Sequence, residues 1–463
     1  MKFAKVHLRH AVLVLAGLLS LPLTAGELAD TSWRISLSGG RLGPVETTVT
    51  IEQRGDILYA SSNSGALQFI RDLPGAKNPA INLGEALLSF TLSESDDGYS
   101  GEMVSPWPGS EINLRVNPDG ITGQISGGFF GGSLSGQRIE KTGSMAPLRD
   151  YPAIIKQLQD VVARKIYNPR DLENEAYLLF SDRMARLAQL ANDDLDLLLG
   201  FKFAWTSAAF SHFQFTRSEH SAEQMMQQFD HYRIGKRLAY VEFDDDIAVL
   251  SVHTMMGADT IEFIDSAYEE IAQSQARALI IDLRNNTGGA FAVKPLVEHI
   301  IRQPLEAGYF VSQKWHASND QLPGQADIDS IAPWQGWSLI EFWNSVQQDG
   351  LMKIRFLPDT PGFTGPVYVL TSNKTASAAE MATDALRASG LVTLVGEKTA
   401  GEMLSQSFFD VGDGFLVSLP VADYFSMTNG RIEGAGISPD VETPSADALE
   451  TAKRLARAAI FEG

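Results

Sequence analysis

The spacing of hydrophobic residues divides the chain into regions with different predicted secondary structure. Residues 27–142 contain short stretches in which hydrophobic and polar residues alternate, such as TTVTIEQRG and EINLRVNPDG, separated by Asp-Gly, Asn-Pro and Gly-Gly. Alternation with a period of two, interrupted by such turn sequences, predicts antiparallel strands and hairpins. We therefore expect an N-terminal all-β domain, and we interpret it as a binding or packing module.

Residues 150–232 show a different pattern. Hydrophobic residues recur at helical spacing in YPAIIKQLQDVVARKIY and in LENEAYLLFSDRMARLAQLA, with Asn168-Pro169 as a break between them. This periodicity predicts amphipathic helices. The region is therefore expected to be a helical segment.

Residues 233–463 alternate hydrophobic strand-like runs with helical stretches; the runs include IAVLSVH, ALIIDLR, PVYVLTS and VTLVGE. Nearly continuous hydrophobic strands are typical of a sheet that is covered on both faces. We predict an α/β core with a mainly parallel sheet flanked by helices, in which the loops after the strands carry the functional site.

A tryptophan-rich segment at about 304–362 interrupts this alternation and is predicted to be an insertion. Its tryptophans are Trp315, Trp334, Trp337 and Trp343. Long insertions beside a sheet often act as lids or binding loops. A purely structural role is equally compatible with the sequence.

Residues 1–25 are predicted to be a secretory signal peptide. Basic residues at the start are followed by a hydrophobic stretch from Ala11 to Leu23 and then by small residues. The hydrophobic stretch is too short to cross a bilayer as a stable anchor. We expect cleavage after Ala25 or Gly26, and hence a periplasmic or extracellular protein.

Composition excludes several classes of function. The chain contains no cysteine, so thiol nucleophiles, thiolate metal sites and disulfides are excluded. Its formal net charge of −20, without a basic cluster, makes nucleic acid an improbable partner. No HExxH pair or other recognisable ligand spacing occurs, so we predict no metal and no cofactor.

The sequence TSNKTASAAE, Thr371 to Glu380, contains the first candidate for chemistry. S-A-A-E at its end matches a helix capping box, in which Ser377 caps the helix and Glu380 reaches back. The same strand-to-helix turn would also expose the serine hydroxyl beside free backbone N–H groups, which can hold an oxyanion. Spacing alone is compatible with both roles.

A glycine pair follows the strand ALIIDLR. Adjacent glycines at Gly288 and Gly289 let the backbone approach a ligand and direct its N–H groups at it. This loop would complete an oxyanion hole with the Ala378 amide, although an ordinary glycine turn would give the same sequence.

Four motifs carry a family resemblance: DLRNNTGG, TSNKTASAAE, LVGEKTAGE and IEGAGISPDV. In this order and at these separations they resemble the core of the C-terminal processing (tail-specific) and tricorn-type serine peptidases, whose core is crotonase/ClpP-like. The resemblance spans roughly residues 151–441. It implies that Ser377, in the S-A-x-E motif, is the nucleophile.

One position departs from the family pattern. Processing proteases place a general-base lysine in a T-x-G-K motif, whereas this sequence has Thr399-Ala400-Gly401-Glu402. Neither Lys398 nor Lys374 is a good substitute. Glu402 is interpreted as an ordinary loop residue near the site, and contact with a substrate amine is the alternative role that the sequence leaves open. The processing proteases' PDZ domain would not fit between His212 and the strand that begins near Leu238.

Tricorn-type members instead use the histidine of a Ser-His pair and a glutamate before a G-V/I-x-P-D motif. Ser211-His212 and Glu433 occupy these positions. The resemblance thus implies a triad of Ser377, His212 and Glu433, with Ser211 in support. His253 is the reserve candidate for the base, and His220, His231, His299 and His316 are interpreted as surface or core residues.

We therefore predict a secreted or periplasmic serine peptidase that cleaves peptides or proteins through an acyl-enzyme. Two alternatives remain open at this point. A non-catalytic binder of apolar ligands on the same fold is one, and an esterase or other acyl hydrolase is the second.

Overall fold

The computed structural model describes residues 28–39, 45–62, 88–105, 109–127, 131–142, 148–205, 210–336 and 338–462. The predicted signal peptide and Trp337 lie outside these residues. Contacts divide the chain into two units, one of Met1–Leu148 with Leu190–Asp196 and one of Arg149–Gln189 with Leu197–Gly463.

The first unit is a closed barrel of eight antiparallel strands. Its strands are β1 Thr31–Ser38, β2 Val45–Arg54, β3 Ile57–Ser61, β4 Ser89–Ser95, β5 Gly98–Met103, β6 Glu111–Asn117, β7 Gly120–Ser126 and β8 Gly132–Ile139. Strand β8 pairs with β1, which closes the barrel and removes free edges. The interior is filled by side chains such as Trp33, Ile35 and Phe90. The prediction of an antiparallel all-β domain is confirmed.

The second unit begins with helices. They are α1 Tyr151–Lys165, a 3₁₀ turn Pro169–Glu173, α2 Glu175–Leu190, α3 Asp194–Ala204 and α4 Ala222–Phe229. Asp150 caps α1 by accepting a hydrogen bond from the Ala153 amide at 3.0 Å. Asn168 begins the 3₁₀ turn at the break that the sequence predicts.

A six-stranded sheet lies in this unit. Its strands, in spatial order, are β10 Ala239–Asp244, β11 Ile247–Val252, β12 Ala278–Asp282, β16 Val367–Thr371, β17 Val392–Gly396 and β21 Val441–Glu442. Only β10 runs antiparallel to its neighbour, so a mainly parallel sheet is present as predicted. The unit also contains a second, mainly antiparallel sheet that the prediction does not include.

Helices cover both faces of this sheet, which explains its continuous hydrophobic runs. They are α5 Ala258–Gln273, α6 Val293–Glu298 and α10 Ala378–Ala388 on one face, and α11 Ala448–Glu462 on the other. Leu279 and Ile281 of β12 pack in the core with α5, α6 and α10. Ala278 and Ile280, the alternate residues of the same strand, pack against α11.

A second, seven-stranded sheet completes the unit. Strands β14 Pro333–Trp334, β15 Leu351–Phe356, β13 Leu305–Ser312, β19 Phe415–Ser426 and β18 Ser405–Asp410 lie side by side, and β9 Gln214–Arg217 and β20 Gly430–Arg431 pair with β19. Residues 304–362, which we predict to be an insertion, contribute three of these strands. They also contain α7 Gln313–His316, α8 Gln325–Ser330 and α9 Leu339–Asp349. Across the described ranges, no helix has the length and hydrophobicity needed to span a membrane.

Candidate active site

Ser377 lies at the turn between strand β16 and helix α10. Its backbone has φ 56° and ψ −126°, in the left-handed half of φ space that non-glycine residues rarely adopt. The side chain makes no capping hydrogen bond, and the Glu380 amide instead donates to the Ser377 carbonyl oxygen at 2.7 Å. Backbone strain of this kind concentrates at functional sites. The half-buried hydroxyl is thus not used to cap the helix.

Glu380 forms the other half of the predicted capping box and also anchors a neighbouring loop. Its Oε2 accepts from the Ser377 amide at 3.2 Å and the Glu402 amide at 2.9 Å. Its Oε1 accepts from the Thr399 hydroxyl at 2.5 Å and the Gly401 amide at 2.8 Å. Burial raises the pKa of this carboxyl, whereas the four hydrogen bonds act in the opposite direction.

The glycine loop after β12 packs directly against Ser377. A Cβ on Gly288 would lie 2.6 Å from Ser377 Cβ and 2.7 Å from the Ala376 carbonyl oxygen, and Gly288 has φ 94°. A Cβ on Gly289 would lie 2.3 Å from the Met256 amide nitrogen. Only glycine fits at these two positions, because the backbones approach too closely for any side chain.

Asn286 fixes this loop to its surroundings. Its side-chain amide donates to the Val252 carbonyl oxygen at 3.0 Å, and its Oδ1 accepts from the Gly288 amide at 2.9 Å. Its carbonyl oxygen accepts from the Ala376 amide at 3.1 Å. The Gly288 N–H is therefore engaged within the loop. Among the described residues, no acceptor is found for the Gly289 amide or for the first amide of helix α10, that of Ala378.

Ser211, His212 and Glu433 form a hydrogen-bonded chain. Ser211 Oγ lies 2.6 Å from His212 Nδ1 and 3.0 Å from Glu433 Oε2, and the Ser211 amide donates to Glu433 Oε1 at 2.9 Å. A hydroxyl has one proton and a carboxylate only accepts, so Ser211 donates to Glu433 and accepts from His212 Nδ1–H. This arrangement leaves the lone pair of a neutral His212 on Nε2.

Two adjacent residues connect this chain to the serine turn. The Glu402 carbonyl oxygen accepts from the Ser377 amide at 2.9 Å, and the Met403 amide donates to Glu433 Oε2 at 2.7 Å. The structure thus brings Ser377 and Glu433 to opposite sides of one dipeptide. This loop therefore joins the hydrogen-bonded chain of Glu433, Ser211 and His212 to the backbone of Ser377.

Aromatic packing holds the Ser211-His212 pair in place. His212 has φ 60°, and the residues that flank the pair, Phe210 and Phe213, are buried. Their rings lie 5.0 Å and 4.9 Å from the ring of Trp205. Edge-to-face and tilted aromatic pairs add to the stability gained from burial. A rigid cluster therefore supports the strained histidine.

Among the residues that the structure describes, the hydrogen-bonded chain of Glu433, Ser211 and His212 includes none of the other candidate histidines and lysines. His299 is a core residue whose ring nitrogens contact the Pro361 carbonyl oxygen and Asp265. His253 Nε2 lies 3.5 Å from the Tyr240 hydroxyl, and the two rings are tilted relative to each other. Lys374 and Lys398 are exposed, as are His220 and His231. Within the described residues, no cluster of three potential metal ligands is present.

A buried carboxylate close to Glu433 is a residue that the sequence does not single out. Asp423 is 3% exposed, its Oδ2 accepts from Arg431 Nε at 2.7 Å, and its buried Oδ1 has no hydrogen-bond partner among the described residues. Burial, followed by repulsion from Glu433 and Asp171, raises its pKa to about 6, although Arg431 opposes the shift. The only sequence signal is an aspartate within a hydrophobic run.

Comparison with known proteins places these motifs in a family. The model of Peptidase family S41 matches residues 246–443. A carboxyl-terminal-processing protease of Synechocystis sp. is 27% identical over 234 residues, which are 50% of this chain and 44% of that protein. Carboxyl-terminal-processing peptidase 1, chloroplastic, of Arabidopsis thaliana is 36% identical over 103 residues, 22% of this chain and 21% of that protein.

The chain thus spans less than half the length of these two relatives. Among solved structures, the photosystem II D1 C-terminal processing protease is 14% identical with a TM-score of 0.41, over 67% of this chain and 98% of that one. All four motifs of the sequence resemblance fall inside the matched residues. Residues 246–443 therefore form a domain of Peptidase family S41.

Proposed function

We propose that the protein is a serine peptidase that hydrolyses peptide bonds, with Ser377 as nucleophile and His212 as general base. The observation that carries this proposal is the hydrogen-bonded chain from Glu433 through Ser211 to His212, joined to the strained Ser377 turn by Glu402 and Met403. An activated serine requires a base that is held in one tautomer by a third group. The S41 match supports the same class of reaction.

The reaction proceeds in two halves. Ser377 Oγ attacks the carbonyl carbon while His212 Nε2 takes the hydroxyl proton, and the intermediate collapses as His212 returns the proton to the leaving amine. The C–N bond breaks and an ester to Ser377 remains. Water then attacks the ester with His212 again as base, which releases the acid and restores the serine hydroxyl.

Two backbone amides hold the oxyanion in this proposal. The N–H groups of Gly289 and Ala378 have no acceptor among the described residues. Ala378 follows Ser377, and Gly289 follows the glycine that packs against Ser377, so both amides are available for a developing negative charge. Gly288 acts differently from the sequence-based expectation. Its own N–H is held by Asn286, and its contribution is the absence of a side chain against Ser377.

Glu433 acts on His212 through Ser211 in this proposal. The carboxylate fixes the orientation of the Ser211 hydroxyl, which accepts from His212 Nδ1–H and stabilises the imidazolium that forms when His212 takes a proton. Ser211 is thus a positioning residue. In this proposal the substrates are peptides or proteins, and no cofactor is required. The protein is secreted by means of the predicted signal peptide, and its core has the crotonase/ClpP-like fold.

Labelling by a fluorophosphonate probe tests the nucleophile and its base. We expect the wild type to label, and Ser377→Ala and His212→Ala not to label while they keep the wild-type melting temperature. His231→Ala, which changes an exposed histidine, is the matched control and should label normally. A folded wild type that does not label at any pH would overturn the proposal in favour of a non-catalytic binder of apolar ligands. A panel of esters and unstructured peptides then distinguishes an esterase from a peptidase.

A further inference from the structure

Glu402 stands where the processing proteases have their lysine, and its backbone is fixed beside Ser377. Its amide donates to Glu380 Oε2 at 2.9 Å and its carbonyl oxygen accepts from the Ser377 amide at 2.9 Å. Both polar groups of its backbone are therefore used within the site. Its side chain, in contrast, is exposed.

The loop that presents this side chain is rigid. Gly401, the preceding residue, has φ 73°, and a Cβ there would lie 2.9 Å from the Gly436 amide nitrogen. Its carbonyl oxygen accepts from the Gly434 amide at 2.8 Å, and its own amide donates to Glu380. A carboxylate on such a fixed backbone loses little freedom when it binds a ligand, which favours selective binding.

Two carboxylates, those of Glu380 and Glu433, are hydrogen-bonded to the backbone amides of Glu402 and Met403. Within the described part of the chain, no ion pair of Glu402 is found, and the Glu433 carboxylate accepts from the amide of the next residue, Met403, at 2.7 Å. Arg431 is committed to Asp423. The chain as a whole carries a formal charge of −20. A cationic group is the complement of such a surface.

We propose that Glu402 is a specificity-determining residue that selects substrates with an ammonium or guanidinium group next to the scissile bond. This inference rests on the proposed peptidase function and adds the substrate class to it. A lysine at this position would repel such a group, whereas the carboxylate of Glu402 attracts it. The chemistry has two sources, the side chain of lysine or arginine and the free α-amino group of a peptide.

A matched peptide series tests the inference. Each peptide of the series carries lysine, norleucine or glutamate at one test position. The test position is varied from three residues before the cleaved bond to three residues after it. For the wild type we expect kcat/KM to favour lysine over norleucine by about fivefold at one position, the size of a partly exposed ion pair. The preference should weaken as salt is raised. Acetylated and free N-termini distinguish a side chain from an α-amino group.

Two variants assign the preference to Glu402. Glu402→Gln, which is nearly isosteric, should bring the lysine-to-norleucine ratio close to one, and Glu402→Arg should make glutamate the preferred residue. Glu269→Gln removes the same charge from an exposed position on helix α5 and should keep the wild-type ratio. Each ratio compares two peptides on one variant, so a general loss of activity does not change it.

The outcomes separate this inference from the function on which it rests. A wild type that labels with fluorophosphonate and cleaves peptides without any charge preference overturns the role of Glu402 alone. A preference for lysine over norleucine that survives in Glu402→Gln also overturns the role of Glu402 alone. A wild type that neither labels nor cleaves overturns both proposals.

Discussion

Ser211 donates its hydroxyl proton to Glu433 across 3.0 Å, although 222 residues separate the two in the sequence. The same Oγ lies 2.6 Å from His212 Nδ1. The carboxylate and the imidazole are therefore joined by a hydroxyl whose single proton fixes the direction of both hydrogen bonds. Ser211 therefore links the Glu433 carboxylate to the His212 imidazole.

Replacing Ser211 by alanine should lower kcat by about 10- to 100-fold and leave KM nearly unchanged, because His212 loses the acceptor for Nδ1–H. Ser211→Thr keeps the hydroxyl and should recover much of the loss. Steady-state kinetics on one peptide, with melting temperatures for both variants, check this prediction. Equal activity of the alanine variant and the wild type would show that Glu433 does not act through Ser211.

Much of the α/β unit can be predicted from the sequence because its local patterns agree with its three-dimensional structure. Strand β12 is hydrophobic at every residue from Ala278 to Ile281, since alternate side chains meet helices on opposite faces. The glycine pair after β12 and the capping box after β16 also mark the loops that meet at the serine turn. At these positions the sequence motif itself marks a segment that makes the tertiary contacts of the site.

The second sheet is harder to predict from the sequence. Strand β19 contains Pro420, and proline in a hydrophobic run argues against a central strand. The structure accommodates Pro420 at a register shift, where the pairing with β18 is irregular between Ser405 and Gln406. A bulge depends on the partner strand, and no local pattern reports it.

The contacts of individual site residues also depend on long-range packing. The Gly288 amide is predicted to face an oxyanion but is held by Asn286, two residues earlier, whose side chain is itself fixed by Val252 of β11. Asp423 gives no signal because its position beside Glu433 arises only when β19 and the segment after β20 come together. Contacts of this kind, between residues far apart in the sequence, can be identified only from the three-dimensional structure.

Substituting Gly288 by alanine should abolish fluorophosphonate labelling, because the new Cβ would lie 2.6 Å from Ser377 Cβ. Gly390→Ala is a matched control: Gly390 also has positive φ, 70°, but a Cβ there meets no atom within 4 Å. The control should lose about 1 kcal/mol of stability from backbone strain alone and should label normally. Labelling of Gly288→Ala at the wild-type rate would contradict the packing described for Ser377.

Changing Glu380 to glutamine should destabilise the protein by about 2–4 kcal/mol and reduce labelling of Ser377. The amide of glutamine can accept with one oxygen only, so its NH₂ group would face two donors that now bind the carboxylate. Either the pair Thr399 and Gly401 or the pair Glu402 and Ser377 would lose its acceptor.

Urea denaturation and the labelling rate measure the two effects of this change. Glu341→Gln, at an exposed position of helix α9, is the control and should change the free energy of unfolding by less than about 0.5 kcal/mol. A Glu380 variant as stable as this control would mean that the four hydrogen bonds contribute little to holding the loop.

Asp423 should make the stability of the protein depend on pH between about 4 and 7. Burial, together with Glu433 and Asp171, raises its pKa in the folded state from about 3.8 to about 6, so between these values the folded protein binds more protons than the unfolded chain. The free energy of unfolding therefore falls as pH rises through this window, by about 3 kcal/mol for this one group. The loss is complete above the folded-state pKa.

Asparagine at position 423 cannot titrate, so the Asp423→Asn variant should lack this component. Urea denaturation of the variant and the wild type at pH 4 and pH 7.5 gives two differences in the free energy of unfolding. At pH 4 the Asp423 carboxyl of the folded wild type is largely protonated, so the two proteins carry the same charge at this position. From pH 4 to pH 7.5 the difference between them should shift in favour of the variant by about 2–3 kcal/mol. Asp349→Asn, at an exposed helix end, should run parallel to the wild type. If Asp423→Asn also runs parallel, the buried carboxyl is not proton-linked to folding and Arg431 compensates its charge fully.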